Sequence, residues 1–165
     1  MSSYSPILVV TTGGTIDKQY FDALSEYQVS ESMVAALLRT ARVTQRFRVV
    51  ELMRKDSLEL TDEDRELIRS VIAEAPETSV VVTHGTDTMV QTAEALAGLA
   101  GRTIVLVGAL APARFAESDA PFNLGMAFAC AQAAAPGVWI TMNGTVFAAQ
   151  EVVKDRSRNA FVAKT

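Results

Sequence analysis

Residues 7–16 read Ile7-Leu8-Val9-Val10-Thr11-Thr12-Gly13-Gly14-Thr15-Ile16, four consecutive aliphatic residues that run into hydroxyls and a pair of glycines. A short run that is apolar at every position, without alternation, predicts a strand buried on both faces. The pattern recurs as Val49-Val50, Val80-Val81-Val82, Ile104-Val105-Leu106-Val107 and Val138-Trp139-Ile140. Between these runs lie amphipathic stretches. Glu31 to Arg42 carries Met33, Val34, Leu37 and Leu38 at helical spacing, and Thr61 to Ala75 carries Leu67, Ile68, Val71 and Ile72. Thr61 and Asp64 form a capping-box pattern at the start of the second stretch, with acidic Asp62 and Glu63 suited to a helix N-terminus. A third helix is predicted from about Thr86 to Leu99, closed by Gly101, and a fourth over about 121–135, before a strand over about 138–142. Doubly buried strands alternating with helices predict an α/β fold with a mostly parallel central sheet between helix layers.

The 165 residues, 49% hydrophobic and 21% charged, have the composition of one ordinary domain, which excludes disorder. A chain of this size buries enough surface to hold a core without a metal or disulfide staple. The lone Cys130 cannot form an internal disulfide, which fits a reducing, cytoplasmic setting. One histidine and one cysteine also fall short of the about four nitrogen or sulfur ligands of a structural zinc site. A net charge of −4 argues against nucleic acid, which wants a basic face. The N-terminal MSSYSPILVV has no basic segment and reads as a first strand rather than a secretion signal. Residues 120–150 carry no charge, yet Pro136-Gly137 cuts them short of the about 20 residues a membrane span needs, so a buried helix and strand are expected there. The charged run Lys154-Asp155-Arg156-Ser157-Arg158 reads, on composition alone, as a solvated tail.

In open α/β sheets ligands sit beyond the carboxyl ends of the strands. After the first strand, Thr11-Thr12-Gly13-Gly14-Thr15-Ile16 lets the backbone turn tightly against a ligand and presents a hydroxyl. After the third, Thr83-His84-Gly85-Thr86-Asp87-Thr88 leads into a helix, offering free N–H groups for an anion and a carboxylate for a cation. Neither segment is a nucleotide fingerprint, since G-x-G-x-x-G and G-x-x-x-x-G-K-[ST] are both absent. His84, at a strand end before a glycine, reads as a hydrogen-bonded structural residue, and Cys130 as buried and inert.

TTGGTI and THGTDTM together resemble the two signature segments of the bacterial-type L-asparaginases. VGALAPARFAESDAPFNL resembles that family's segment after the next strand, Asp56-Ser57-Leu58-Glu59 its substrate-binding turn, and Val153-Lys154 the approach to its catalytic lysine. The resemblance implies a three-layer α/β/α, Rossmann/flavodoxin-like fold of the asparaginase N-terminal type. It also implies cofactor-free and metal-free hydrolysis of the L-asparagine side-chain amide through a threonine acyl-enzyme. Thr15 matches the nucleophile. Thr86, Asp87 and Lys154 match a cluster in which a lysine, oriented by the aspartate, helps a threonine gain or lose a proton. Ser57 and Asp87 match groups that hold the substrate's α-carboxylate and α-amine; Gly14, Gly85, Thr86 and Glu59 are carried as further substrate contacts.

A mobile loop over residues 17–28 is expected to supply a tyrosine, matched by Tyr27 with Tyr20 as the alternative, while Asp17, Lys18 and Asp22 within it are expected to be solvated. Typical members are about twice as long, with a C-terminal domain that completes a neighbour's site. The reading therefore expects residues 1–165 to be a single N-terminal-type domain lacking the C-terminal one, with Glu59 standing in part for the lost carboxylate. A homo-oligomer, dimer or tetramer, is expected, with Phe115, Phe122 and Phe128 offering apolar surface. Two alternatives stay open: a silent or weak amino-acid-binding protein, and an amidohydrolase acting on glutamine or another carboxamide.

Overall fold

The computed structural model describes residues 5–21 and 26–165. In chain order its strands and helices are β1 (Ile7–Gly13), β2 (Lys18–Phe21), β3 (Glu26–Val29), α1 (Val34–Thr40), β4 (Phe47–Lys55), α2 (Asp62–Glu74), β5 (Ser79–Thr83), α3 (Met89–Ala95), β6 (Thr103–Val107), α4 (Ala120–Ala133), β7 (Gly137–Met142), β8 (Thr145–Ala148), β9 (Val152–Asp155) and β10 (Ala160–Ala163). The main sheet runs β4-β1-β5-β6-β7-β8, parallel except for the β7–β8 pair. Its parallel strands thus follow the chain order 2-1-3-4-5 of flavodoxin-like sheets, with the topological switch between β1 and β5.

The apolar runs serve both faces because successive side chains point in opposite directions. Val10, Val82, Leu106 and Ile140 stand in one register row and pack toward Ile68 and Ile72 of α2 and Met89 and Ala93 of α3. Val9, Val81 and Val105 face the other way, against Val34 and Leu38 of α1 and Leu124, Ala127 and Phe128 of α4. Three layers result, as the sequence predicts. Each such aliphatic side chain taken from water contributes about 1.5–3 kcal/mol, which explains why strand positions dominate the fully buried set.

Helix α2 begins as read, with Thr61 Oγ1 accepting from the Asp64 N–H while the Asp64 carboxylate accepts from the Thr61 N–H. Two other helices are shorter than periodicity suggests. Helix α1 starts at Val34 rather than Glu31, where the Met33 N–H goes to the Asp17 carboxylate and the Val34 N–H to the Ser32 hydroxyl. Helix α3 starts at Met89 rather than Thr86 and ends at Ala95, the chain then turning at Gly98 with φ 83° well before Gly101.

Two hairpins replace expected coil. Strands β2 and β3 pair antiparallel beside the β1 end, and β9 and β10 turn the charged run 154–158 into a hairpin whose Val152 and Phe161 are buried in the core. The solvated-tail reading is thereby corrected: alternate residues of this hairpin face the core, and Asp155 closes its turn by accepting from Ser157 and Arg158.

Candidate active site

Three loops meet at the carboxyl edge of β1, β4 and β5, so closely that side chains are excluded. A Cβ on Gly14, whose φ is 86°, would lie 2.4 Å from the Gly85 nitrogen; one on Gly85 would lie 2.6 Å from the Ser57 Cβ and Oγ. The Gly14 N–H also donates to the Lys55 carbonyl, 2.9 Å away. The expected residues Gly14, Gly85 and Ser57 thus form a tight floor, Gly14 against the Gly85 backbone and Gly85 against the Ser57 side chain, with Thr15 and Thr86 following the two strands that flank the switch point.

On the β5 side a hydrogen-bonded cluster is complete. The Lys154 ammonium, carried in by β9, donates to Thr86 Oγ1 at 2.8 Å and to Asp87 Oδ1 at 2.9 Å. Lys154 is 12% exposed and Asp87 33%. Thr88 Oγ1 donates to the Ser57 carbonyl at 2.7 Å, tying this loop to the turn after β4.

Beneath the cluster lies fully buried His84. A carbonyl can only accept, so the 2.6 Å contact with the Gly85 oxygen requires a proton on Nδ1. Nε2 then accepts from the Thr92 hydroxyl at 2.7 Å, and Thr92 in turn accepts from Arg65 Nε at 3.2 Å. Burial, with the nearby Arg65 charge acting in the same direction, lowers the His84 pKa to about 4 against the Gly85 hydrogen bond, so the ring is neutral at physiological pH. The structural reading of His84 holds.

On the β1 side the arrangement is looser. Thr15 opens a single-turn 3₁₀ helix (Thr15–Asp17), and its hydroxyl makes no hydrogen bond among the described residues. With Lys18, Tyr27, Pro112 and Phe115 it lines a cavity of about 320 Å³. Tyr20 pairs with Tyr27 across the β2–β3 hairpin, but it is Tyr27 that lines the Thr15 cavity, its ring 5.2 Å from Tyr20 and 6.0 Å from Phe115. A second, polar cavity of about 400 Å³ adjoins it, sharing Lys18 and Tyr27 and lined also by Gln28, Arg54, Asp56 and Glu59. Glu59 lies there, exposed, and does not join Asp87 and Lys154, which line a separate cavity of about 440 Å³ with Arg156 and Lys164.

Several expectations are corrected. Asp17 is not solvated but 1% exposed, because its backbone and carboxylate are drawn into the loop hydrogen bonds. Lys18 is partly covered and pairs with Asp56 at 2.9 Å. For Asp56, burial favours the neutral acid, but hydrogen bonds from Lys18 and Leu58 and the charges of Lys18 and Lys154 outweigh it and hold the pKa low. Asp22 lies outside the described residues. Phe128 offers no outer surface, being buried against Phe47, whereas Phe115 and Phe122 are exposed. Cys130 is buried, which raises its thiol pKa, as an inert residue requires.

Sequence reasoning reads Asp17 and Lys18 as solvated, names Asp56 only within the substrate-binding turn, and misses the Arg65–Thr92–His84 chain. Asp56 carried a signal, an aspartate immediately before Ser57 that caps the 3₁₀ turn Ser57–Glu59. Among the described residues, no helix is long and apolar enough to cross a membrane, and no cluster of three or more potential metal ligands occurs.

A flavodoxin-like sheet thus brings two threonine loops together at its switch point, with Asp87 on the second loop and Lys154 reaching it from β9. Residues 6–164 match the asparaginase N-terminal domain family. This chain belongs to the asparaginase family. It is 32% identical over 164 residues to a glutaminase-asparaginase of Acinetobacter glutaminasificans, covering 90% of this chain and 49% of that protein. An L-asparaginase of Thermococcus kodakarensis is 31% identical over 169 residues, covering 94% and 50%. In three dimensions, the thermostable L-asparaginase of Thermococcus kodakarensis superposes with a TM-score of 0.81 at 26% identity, over 96% of this chain and 51% of that one. L-asparaginase I of Vibrio cholerae gives 0.79 at 25%, over 95% and 50%. The chain thus spans about half the length of the relatives it matches.

Proposed function

We propose that this domain hydrolyses the side-chain amide of L-asparagine to L-aspartate and ammonia through a Thr15 acyl-enzyme, without cofactor or metal. The observation that carries the reading is the Lys154 ammonium within 3 Å of both Thr86 Oγ1 and Asp87 Oδ1, on a loop in backbone contact with the one that carries Thr15.

Thr15 Oγ attacks the amide carbon, its proton passing to a base. A threonine is too weak a nucleophile unaided, and Tyr27, in the same cavity, is the group that takes the proton when ionised. Because Thr86 Oγ1 accepts from Lys154, its own O–H is free to donate to the developing oxyanion or to the departing nitrogen, and each such donor is worth about 100-fold or more in rate. The C–N bond breaks, ammonia leaves with the proton, and water then cleaves the Thr15 ester, returning the proton to the threonine. Ser57 holds the substrate carboxylate and Asp87 holds the α-amine; Glu59, in the neighbouring polar cavity and apart from Asp87, takes no share in gripping the amine. The same reading makes residues 1–165 one N-terminal-type domain that works in the cytoplasm, consistent with a single buried cysteine. It also makes the chain a homo-oligomer using the exposed Phe115 and Phe122.

Glutamine is the second reading, favoured by a relative named glutaminase-asparaginase. Ammonia release from both amides, with Thr15→Ala and Thr86→Ala alongside the unaltered chain, decides. Release from asparagine that disappears in both variants supports the proposal; a preference for glutamine moves it to the second reading. No release, together with aspartate binding by calorimetry, leaves an amino-acid-binding protein and sinks both.

A further inference from the structure

Asp17 stands two residues after Thr15, at the point where the chain leaves the 3₁₀ turn for the β2–β3 hairpin, and it touches both stems of that hairpin. Its N–H donates to the Gly14 carbonyl at 3.1 Å, fixing the entry. Its carbonyl accepts from the Ser30 N–H at 2.9 Å and its Oδ1 from the Met33 N–H at 2.9 Å, fixing the exit. On the far side, Arg114 grips the same exit segment, donating to the Glu31 carbonyl at 3.2 Å. The entry and the exit of the hairpin that carries Tyr27 are therefore both held by one buried residue that the proposed chemistry does not use.

We propose that Asp17 is a positioning residue, its buried carboxyl group locking the exit of the hairpin to the Thr15 turn and so setting the Tyr27 ring in the nucleophile's cavity. The assignment rests on the amidohydrolase reading for its purpose, though not for its test. Closure of the arm is also coupled to a proton. Burial of the carboxyl group, reinforced by repulsion from Glu51 of β4, outweighs donation by the Met33 N–H and Ser32 and attraction by Arg114, and raises the pKa from 3.8 to about 6. When the arm opens, water reaches the group and its ordinary value returns. The closed arm thus holds a proton between about pH 4 and 6 that the open arm releases, so opening becomes easier as pH rises through that window and levels off above it.

Amide hydrogen exchange of residues 18–21 and 26–29, corrected for the intrinsic effect of pH, tests this without reference to turnover. In the unaltered protein, protection should fall from pH 4.5 to 7.5 with a midpoint near the Asp17 pKa, by roughly tenfold to a hundredfold for a shift of this size. Asp17→Asn keeps the acceptor oxygen but cannot ionise, so its protection should be independent of pH and at least equal to the unaltered protein's at pH 7.5. Asp17→Ala, with the lock removed, should lose protection at every pH while the α2 amides keep theirs. Where ammonia release is detectable, Asp17→Ala should lower kcat about tenfold with KM within twofold, and Asp17→Asn should restore it. Equal protection in the unaltered protein and Asp17→Ala, or a pH dependence that persists in Asp17→Asn, overturns the assignment. A protein that releases no ammonia yet shows the exchange pattern overturns only the amidohydrolase reading.

Discussion

The two threonines differ in what holds them. Thr86 is buried, its oxygen already engaged by Lys154, its loop tied to Ser57 and underpinned by the neutral His84. Thr15 sits on a single 3₁₀ turn, its hydroxyl unengaged, under a hairpin held at its base by Asp17. One half is already hydrogen-bonded together; the other, on the proposal above, is completed by the hairpin. The two-step acyl transfer proposed above suits this division, because donors that stabilise charge act best when fixed, whereas a nucleophile's surroundings must admit amide and then water.

The sharpest way to break the comparison is to dismantle the finished half. Lys154→Met should lower the rate of ammonia release by about a thousandfold, near 4 kcal/mol of barrier, while aspartate affinity measured by calorimetry changes less than tenfold. A mild kinetic loss would mean that the fixed cluster is merely structural. Next comes the floor that joins the halves. Gly14→Ala sets a methyl group against the Gly85 backbone at a φ that side chains avoid, and should cost about 3 kcal/mol in denaturant unfolding, whereas Gly125→Ala, exposed inside α4 with nothing within 4 Å of the methyl group, should gain about 0.5–1 kcal/mol.

A third prediction uses pH, because each half rests on a buried titratable group of opposite sign. Folded His84 titrates near 4 against an ordinary 6.5, so the unfolded chain gains a proton that the fold refuses, and stability is lost as pH falls from about 6.5 to 4. Folded Asp17 titrates near 6 against 3.8, so the fold keeps a proton the unfolded chain releases, and stability is lost as pH rises from about 4 to 6. Thermal melts of His84→Gln between pH 4.5 and 6.5 should therefore rise toward acid, and those of Asp17→Asn should fall more steeply toward acid than the unaltered protein's; the two slopes changing in the same direction would refute the contrast. The smallest effect is expected from Lys18→Met. Its pair with Asp56 is partly exposed on both sides, so under 1 kcal/mol should be lost at low salt and almost nothing at 1 M.

How much of this was legible follows from which forces are local. The parallel strands announce themselves because burial on both faces leaves no polar position in β6 beyond Thr103. Helix α2 is legible from its capping residues, which sit next to the backbone they satisfy. By contrast, β2 and β3 are four residues each with mostly exposed side chains, so neither periodicity nor apolarity marks them. The bounds of α1 and α3 are set by partners distant in sequence, Asp17 for one and Ser57 for the loop before the other. Thr15, Thr86 and Asp87 follow from inspecting strand ends. Lys154 does not: it stands 68 residues from Thr86 in a charged run, and only the family resemblance singled it out. Asp17 was misread because an acid between an isoleucine and a lysine in a polar segment looks hydrated, and its burial arises from backbone groups that no side-chain pattern records.

The close contacts among Gly14, Gly85 and Ser57 bear on how such a pocket can be re-engineered. A floor with no room for a methyl group at either glycine, and with Ser57 as its one side chain, would return mostly unstable chains if randomised. Gln28, Arg54 and Phe115, all exposed at the cavity walls and with no part in the proposed chemistry, are free to change size and charge without disturbing the sheet beneath. A library aimed at a new carboxamide should be confined to those wall positions.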